Sequence, residues 1–318
     1  MDNLTHSLAG AVLGEAGTKR LSGLGMAALV IGANLPDVDV LTIPTGRSLA
    51  LRRGWTHGPI AMVVLPLLLT LALVAWDRWQ ARRGTRPATR APVRVGGLLA
   101  ASAAGVLSHP AMDWLNNYGV RLLMPFSDTW FHGDTIFIID PWIWLALGAG
   151  VWLARRGARR AGAPRPRPAR IAIALVLAYV AVMRAGTLVA REAAARRIAA
   201  DGEPARRLMA GPVPLDPTRR TVIYDLGDRY RFGEVVMRPM PVATLDTTVI
   251  PVGADLPEVR SLADAQALRD FAYWSRFPYY VAERVGDTTV VHAADARFGG
   301  RAGLGVTVRR VQPTGARR

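Results

Sequence analysis

"GPIAMVVLPLLLTLALVAW" (58–76) contains no charged residue and matches the roughly 20-residue helix that crosses the hydrocarbon core of a bilayer. Working outward, three more stretches have comparable length and apolar content: 96–112 (GGLLAASAAGVLSHPAM), 136–154 (IFIIDPWIWLALGAGVWLA) and 171–190 (IAIALVLAYVAVMRAGTLVA). The first of these is rich in Gly, Ala and Ser, which suits close helix–helix packing more than lipid contact. Upstream, two shorter helical patterns, 4–16 and 21–34, are joined by "GTKR", with Gly17 as a stop. Each is too short for a comfortable span, so a packed or partly inserted hairpin is expected. From residue 191 the pattern changes. "TVIYDL" and "RYRFGEVVM" read as strands meeting at a Gly-Asp turn, "TTVIPV", "DTTVVHAADARF" and "LGVTVRRVQP" add strands, and 262–274 has helical character. The expected architecture is an α-helical membrane domain, 1–190, of about four spans plus a short N-terminal helical hairpin, followed by a small α+β domain, 191–318.

The 318-residue chain is 51% hydrophobic yet 20% charged, with a formal net charge of +16. Such a charge raises the question of nucleic acid. Lys19 is the one lysine, however, and many arginines fall in two bursts that flank apolar stretches, as in cytoplasmic membrane loops. Membrane lipids, not nucleic acid, are the expected partners. There is no cysteine, which excludes disulfides and thiolate metal sites. The start "MDNLTHSLAG" lacks the basic head and long apolar core of a signal peptide, so internal segments are expected to insert. Loop 77–95 holds six arginines, loop 155–170 holds seven and segment 113–135 only Arg121. The positive-inside rule then places both basic loops in the cytoplasm. The chain reads as a multi-pass protein of the cytoplasmic membrane, with 191–318 extracytoplasmic.

That topology has a chemical consequence. In "LSHPAMDWLNNYG" (107–119), His109 and Asp113 are one helical turn apart and share a helix face. His57 precedes the first span, and His132, Asp134 and Asp140 lie around the start of the third. His6 and the "NLPDVD" turn, with Asp37 and Asp39, return to the same outer level. Taken singly, each has an ordinary reading: a turn, a helix cap or an interfacial histidine. Gathered on one side of the membrane, where ionisable groups are costly, they point to a metal site. Imidazole and carboxylate without thiolate suits zinc in a catalytic setting, with manganese or iron as alternatives. So many candidates suit one to three ions, spare carboxylates orienting imidazoles or acting as a base. Arg52 or Arg121 could hold a substrate phosphate bidentately, or could be snorkelling interfacial arginines. "FAYWSRFPYY" (271–280) reads either as a headgroup-level aromatic patch or as the core of the second domain.

Several of these strings form an ordered set. "LTHSLAGAVLGEAG", "GANLPDVDVL", "RGWTHG", "LSHPAMDWLNNYGVRLLMPFSD" and "GDTIFIIDPW" resemble the YdjM-like membrane-bound metal-dependent hydrolases of bacteria, over about 1–155. The order Asp37, His57, His109 and Asp113 is also similar to that of zinc-dependent phospholipase C and P1-type nucleases, helical enzymes with three zinc ions that cleave phosphodiesters. The resemblance implies His6, Asp37, His57, His109 and Asp113 as metal ligands. It leaves Asp39, His132, Asp134 and Asp140 as further ligands, a base or supporting residues. Two departures stand out: relatives often carry His-Arg-Gly-x-Thr-His-Ser, where this chain has Arg52 for the first histidine and Gly58 for the serine. The expected function is a membrane-bound metal-dependent hydrolase acting on a lipid or lipid-linked phosphoester at the outer face. The alternatives are an ion- or proton-coupled carrier and a non-enzymatic metal-stabilised scaffold.

Overall fold

The computed structural model describes residues 1–299 and 305–311. It opens with α1 (Asn3–Glu15), capped by the Asp2 side chain, and α2 (Gly25–Asn34), which continues as a 3-10 helix over Leu35–Thr45. Between them Gly17 takes a φ of 133°, open to glycine and closed to most other residues, so the first helix stops there. After the short α3 (Ser48–Leu51) come α4 (Pro59–Arg82), α5 (Val95–Trp114), α6 (Pro141–Ala161) and α7 (Arg167–Ala200). Seven strands, β1 (Arg207–Val213), β2 (Asp216–Asp225), β3 (Arg229–Val236), β4 (Val242–Pro251), β5 (Pro278–Val285), β6 (Thr288–Asp295) and β7 (Gly305–Val311), follow with α8 (Pro257–Ser261) and α9 (Gln266–Trp274) between β4 and β5. Leu304, Gln312 and Pro313, the two ends of the last strand in the sequence reading, lie outside the described residues.

Two compact units emerge: Met1–Val40 with Arg52–Ala185, and Leu41–Leu51 with Gly186–Arg318. Four helices are long and apolar enough to cross a membrane: Gly25–Thr45, Pro59–Arg82, Val95–Trp114 and Arg167–Ala200. Two details differ from the sequence expectation. The stretch 136–154 is not one of the four, because α6 begins only at Pro141 and carries Arg155, Arg156, Arg159 and Arg160 in its last turns. Conversely, 21–34 is not too short, because the 3-10 continuation of α2 extends the apolar run to Thr45. Large apolar side chains point outward on these helices, Val63 and Leu71 on α4 and Leu177 and Val182 on α7, as a lipid-solvated surface requires.

Small residues set the helix packing of the first unit. A Cβ at Gly105 of α5 would lie 2.6 Å from the Leu29 carbonyl of α2, and one at Gly10 of α1 would meet that same carbonyl at 2.6 Å. Backbones can approach this closely only where side chains are absent. Three helices therefore converge on Leu29, which is fully buried with Ala28, Leu98 and Ala101. The same convergence brings His6, Asp37, His109 and Asp113 to one end of the bundle. At the other end, Arg94 donates to the Arg20 carbonyl (2.8 Å), Arg170 to the Ala16 carbonyl (3.0 Å) and Arg155 to Glu15 (2.9 Å). Both basic loops and the "GTKR" turn are thus gathered at one end, as the arginine distribution predicts.

In the second unit, β1–β4 form an antiparallel sheet in sequential order and β5–β7 form another. Side chains alternate across β2. Val222 and Tyr224 pack on Ala190, Ala194 and Ile198 of α7, while Ile223 faces Phe277, Tyr279 and Ala294. The β2–β3 hairpin turns at Gly227, φ 105°. Phe271, Trp274, Phe277 and Tyr279 are buried, which places these four aromatics of "FAYWSRFPYY" in this unit's own core, while Tyr273 of the same run is exposed.

Candidate metal centre

His109 and Asp113 sit on the last turns of α5, which runs unbroken through Pro110 to Trp114. Asp37 lies in the first turn of the 3-10 continuation of α2, where the "NLPDVD" turn swings its carboxylate back toward α5. His57 precedes Pro59, the first residue of α4 and a favoured helix start. Ligand atoms from Asp37, His57, His109 and Asp113 all fall within 4.8 Å of one another, and all four residues are buried.

The spacing inside the group is informative. His57 Nε2 and His109 Nε2 each lie 3.4 Å from Asp113 Oδ2, and His109 Nε2 lies 3.6 Å from Asp37 Oδ1. These separations are long for charge-assisted hydrogen bonds. Among the described residues, these two nitrogens, Asp37 Oδ1 and Asp113 Oδ2 are buried with no hydrogen-bond partner. Buried polar atoms left this way are rare in native proteins. Four donors held tetrahedrally at zinc-ligand distances would stand about 3.3–3.4 Å apart. The residues present therefore fit a metal ion, and the group could bind one.

Neighbouring groups fix the ligands in place. His109 Nδ1 is 2.6 Å from the Ala33 carbonyl, which leaves Nε2 to face the carboxylates. His57 Nδ1 lies 3.0 Å from Thr56 Oγ1, and that hydroxyl donates to Asp39 Oδ2 (3.1 Å). Such outer contacts set imidazole tautomer and orientation at metal sites. Burial holds His57 well below the usual histidine range, with His109 and Arg53 adding to the effect. The imidazole is thus neutral, the state in which it ligates.

His6 belongs beside this group. Its ring stacks on His109 with centroids 3.7 Å apart, and its Nε2 is 3.5 Å from Asp113 Oδ1. The Met1 amine and the Arg53 guanidinium (3.2 Å) reach that same oxygen. Asp39 stands one layer out, accepting from the Arg53 backbone N–H (2.7 Å) and facing Arg52 Nε at 3.5 Å. Arg52 is partly exposed, its NH2 3.7 Å from Asp37 Oδ1. The other candidates lie outside the four-residue group. Asp140 caps α6 by accepting from the backbone of Trp142 and Ile143, and takes the Tyr179 hydroxyl at 2.9 Å. His132 packs against the glycine backbone at Gly119, and Asp134 occupies a left-handed turn with φ 51°. Arg121 is buried, donating to the Arg52 carbonyl and lying over Trp130. It braces the 52–54 turn and does not reach out for a phosphate.

Arg53 is the residue the sequence reading passed over. It is buried with φ 53°, and its guanidinium reaches Asp113, Asn116 and the Gly119 carbonyl from beneath the Tyr118 ring. The one available signal was its place in "RGWTHG", beside His57. A groove of about 430 Å³ opens at Asp37, walled chiefly by Val30, Ile31, Leu35 and Val38.

The sequence model of the YdjM inner membrane protein family matches residues 1–189. No curated protein and no solved structure matches the chain.

Proposed function

The chain belongs to the YdjM inner membrane protein family, and on that premise we propose that it is a membrane-bound metal-dependent hydrolase of phosphoesters, with a lipid or lipid-linked substrate. The observation that carries the reading is the set of buried, hydrogen-bond-orphaned atoms on Asp37, His57, His109 and Asp113 at metal-ligand spacing. These four would hold the ion, zinc by the chemistry of the donor set, with His6 beside them. A divalent ion there supplies Lewis acidity toward a phosphoryl oxygen and lowers the pKa of water.

The protein's own groups do the rest. Asp39, through Thr56, holds the His57 ring. Arg53 anchors Asp113 from below, and its buried positive charge balances the cluster's carboxylates. Arg52, at the partly exposed edge beside Asp37 and Asp39, is the side chain placed to take an incoming phosphate. The apolar groove at Asp37 suits an acyl or prenyl tail entering from lipid. Assigning the two arginine-rich loops to the cytoplasm puts this centre at the outer face and the second unit outside the cytoplasm.

The test is turnover by the full chain in detergent, loaded with zinc or manganese and offered a p-nitrophenyl phosphodiester and dispersed phospholipid. Metal-dependent hydrolysis is expected, with Arg52→Gln raising KM by about tenfold, as loss of one charge-assisted contact implies. A metal-bound protein without turnover on either substrate class would replace the enzyme by a metal-stabilised scaffold.

A further inference from the structure

A second, larger concavity lies at the opposite end of the helical unit from the metal centre. It runs between α6 and α7 and has a volume of about 970 Å³, near the top of the range of roughly 300–1,000 Å³ for small-molecule sites. Its floor is formed where the helices touch. A Cβ at Gly150 would lie 2.4 Å from the Ala172 Cβ. Along α6, Ala146, Ala149, Leu153, Gly157 and Arg160 line it, spaced by three or four residues and hence on one face. From Ala146 to Arg160 that face runs about 21 Å along the axis. On α7 the lining passes from Arg167 and Arg170 to Ile171 and Leu175. The groove is therefore graded, basic at one end and apolar for the rest of its length, and it is open to the side where Leu153 and Leu175 are exposed.

The basic end carries Arg160, Arg165, Arg167 and Arg170, and no acidic residue lines the groove. Neighbouring arginines are occupied differently: Arg155 pairs with Glu15 and Arg156 lies over Trp152. Among the described residues, no carboxylate pairs with Arg160, Arg165 or Arg167. Arg170 is held by the Ala16 carbonyl. Four guanidinium groups at the mouth of an apolar trough, at the arginine-rich end of a membrane bundle, complement one ligand chemistry. We propose that the α6–α7 groove binds an anionic diacyl phospholipid, with its phosphate on the Arg160–Arg170 cluster and an acyl chain along Leu153, Ile171 and Leu175. Basic pockets between membrane helices take anionic headgroups in this way. The proposal is independent of the metal centre and of the reaction assigned to it.

Native mass spectrometry of the delipidated full chain in detergent, offered dioleoyl phosphatidylglycerol or phosphatidylcholine, tests it. The wild type is expected to retain phosphatidylglycerol selectively, and Arg160→Gln/Arg165→Gln/Arg167→Gln to weaken retention by about a hundredfold, given the usual contribution of each basic residue. Ala149→Phe leaves every arginine in place but fills an exposed part of the trough, and it too should abolish retention. Removing equal charge from the other loop, with Arg78→Gln/Arg82→Gln/Arg83→Gln, should leave retention intact. Equal retention of the two lipids, unchanged retention in the groove variants, equal loss in the other-loop variant, or displacement by millimolar inorganic phosphate would each overturn the proposal.

Discussion

At the basic end of the helical unit, Glu15 is buried and fully answered, contacting Lys19 and accepting from Arg155. Asp77, buried on α4, is met by Arg86 at 3.2 Å and Arg90 at 3.0 Å. At the other end, Asp37 and Asp113 are just as buried, yet each has an oxygen without a hydrogen-bond partner, and the facing imidazole nitrogens are equally unsatisfied. One bundle thus treats buried carboxylates in two ways. Where the role is structural, arginine and lysine are supplied within reach. At the cluster the Met1 amine and Arg53 reach only Asp113 Oδ1 and Arg52 comes no nearer than 3.7 Å to Asp37 Oδ1, so Asp113 Oδ2 and Asp37 Oδ1 face imidazole nitrogens at 3.4–3.6 Å. An ion among these atoms would restore the missing partners, and this contrast between the ends marks the cluster as a group that could bind a metal ion.

That contrast can be attacked from either end. Asp39→Asn should have the largest effect of the residues outside the four-residue group. It loosens the hold on Thr56 and His57 without removing a ligand, and metal affinity should fall about 10–100-fold, read by competition with a chromophoric chelator. Unchanged affinity would detach Asp39 from the centre. Glu15→Gln should be milder, about 1 kcal/mol of stability, because Lys19 and Arg155 are partly solvated. Metal content should not move. Burial alone would raise the Glu15 pKa, but the bonds from Lys19 and Arg155 outweigh it and hold it below the ordinary 4.5. Its stabilisation is therefore present above that value and lost as pH falls through the depressed one. A wild-type acid melt that Glu15→Gln leaves unaltered would show that the pair contributes nothing measurable.

Much of the centre was legible because its geometry is local. His109 and Asp113 needed only helical spacing, and the arginine bursts together with the lengths of the apolar stretches sorted the polar residues to one end. Arg53 was not legible, because its role depends on a left-handed backbone at 53 and on the turn that carries it beneath Asp113. Asp140 illustrates the opposite failure. A carboxylate before Pro141 suits a cap and a ligand equally, and only the fold assigns it to Trp142, Ile143 and Tyr179. The stretch 136–154 differs from the structure because the four loop residues Ile136–Ile139 are apolar, while the arginines of α6 fall just beyond the window. In the second unit, β2, β3, β4, β6 and β7 announced themselves by β-branched and aromatic residues. β1 did not, since Gly211 and Pro212 mark an irregular edge strand, and β5 was hidden within an aromatic run that also reads as a membrane patch.

The central claim rests on an ion that completes Asp37, His57, His109 and Asp113. It is tested most directly by metal content, measured by inductively coupled plasma mass spectrometry on the detergent-purified full chain beside His109→Ala/Asp113→Ala. At least one zinc or manganese ion per wild-type chain, absent from the double variant, is the predicted result. Metal-free wild-type protein after careful loading, or equal metal in both proteins, would contradict it.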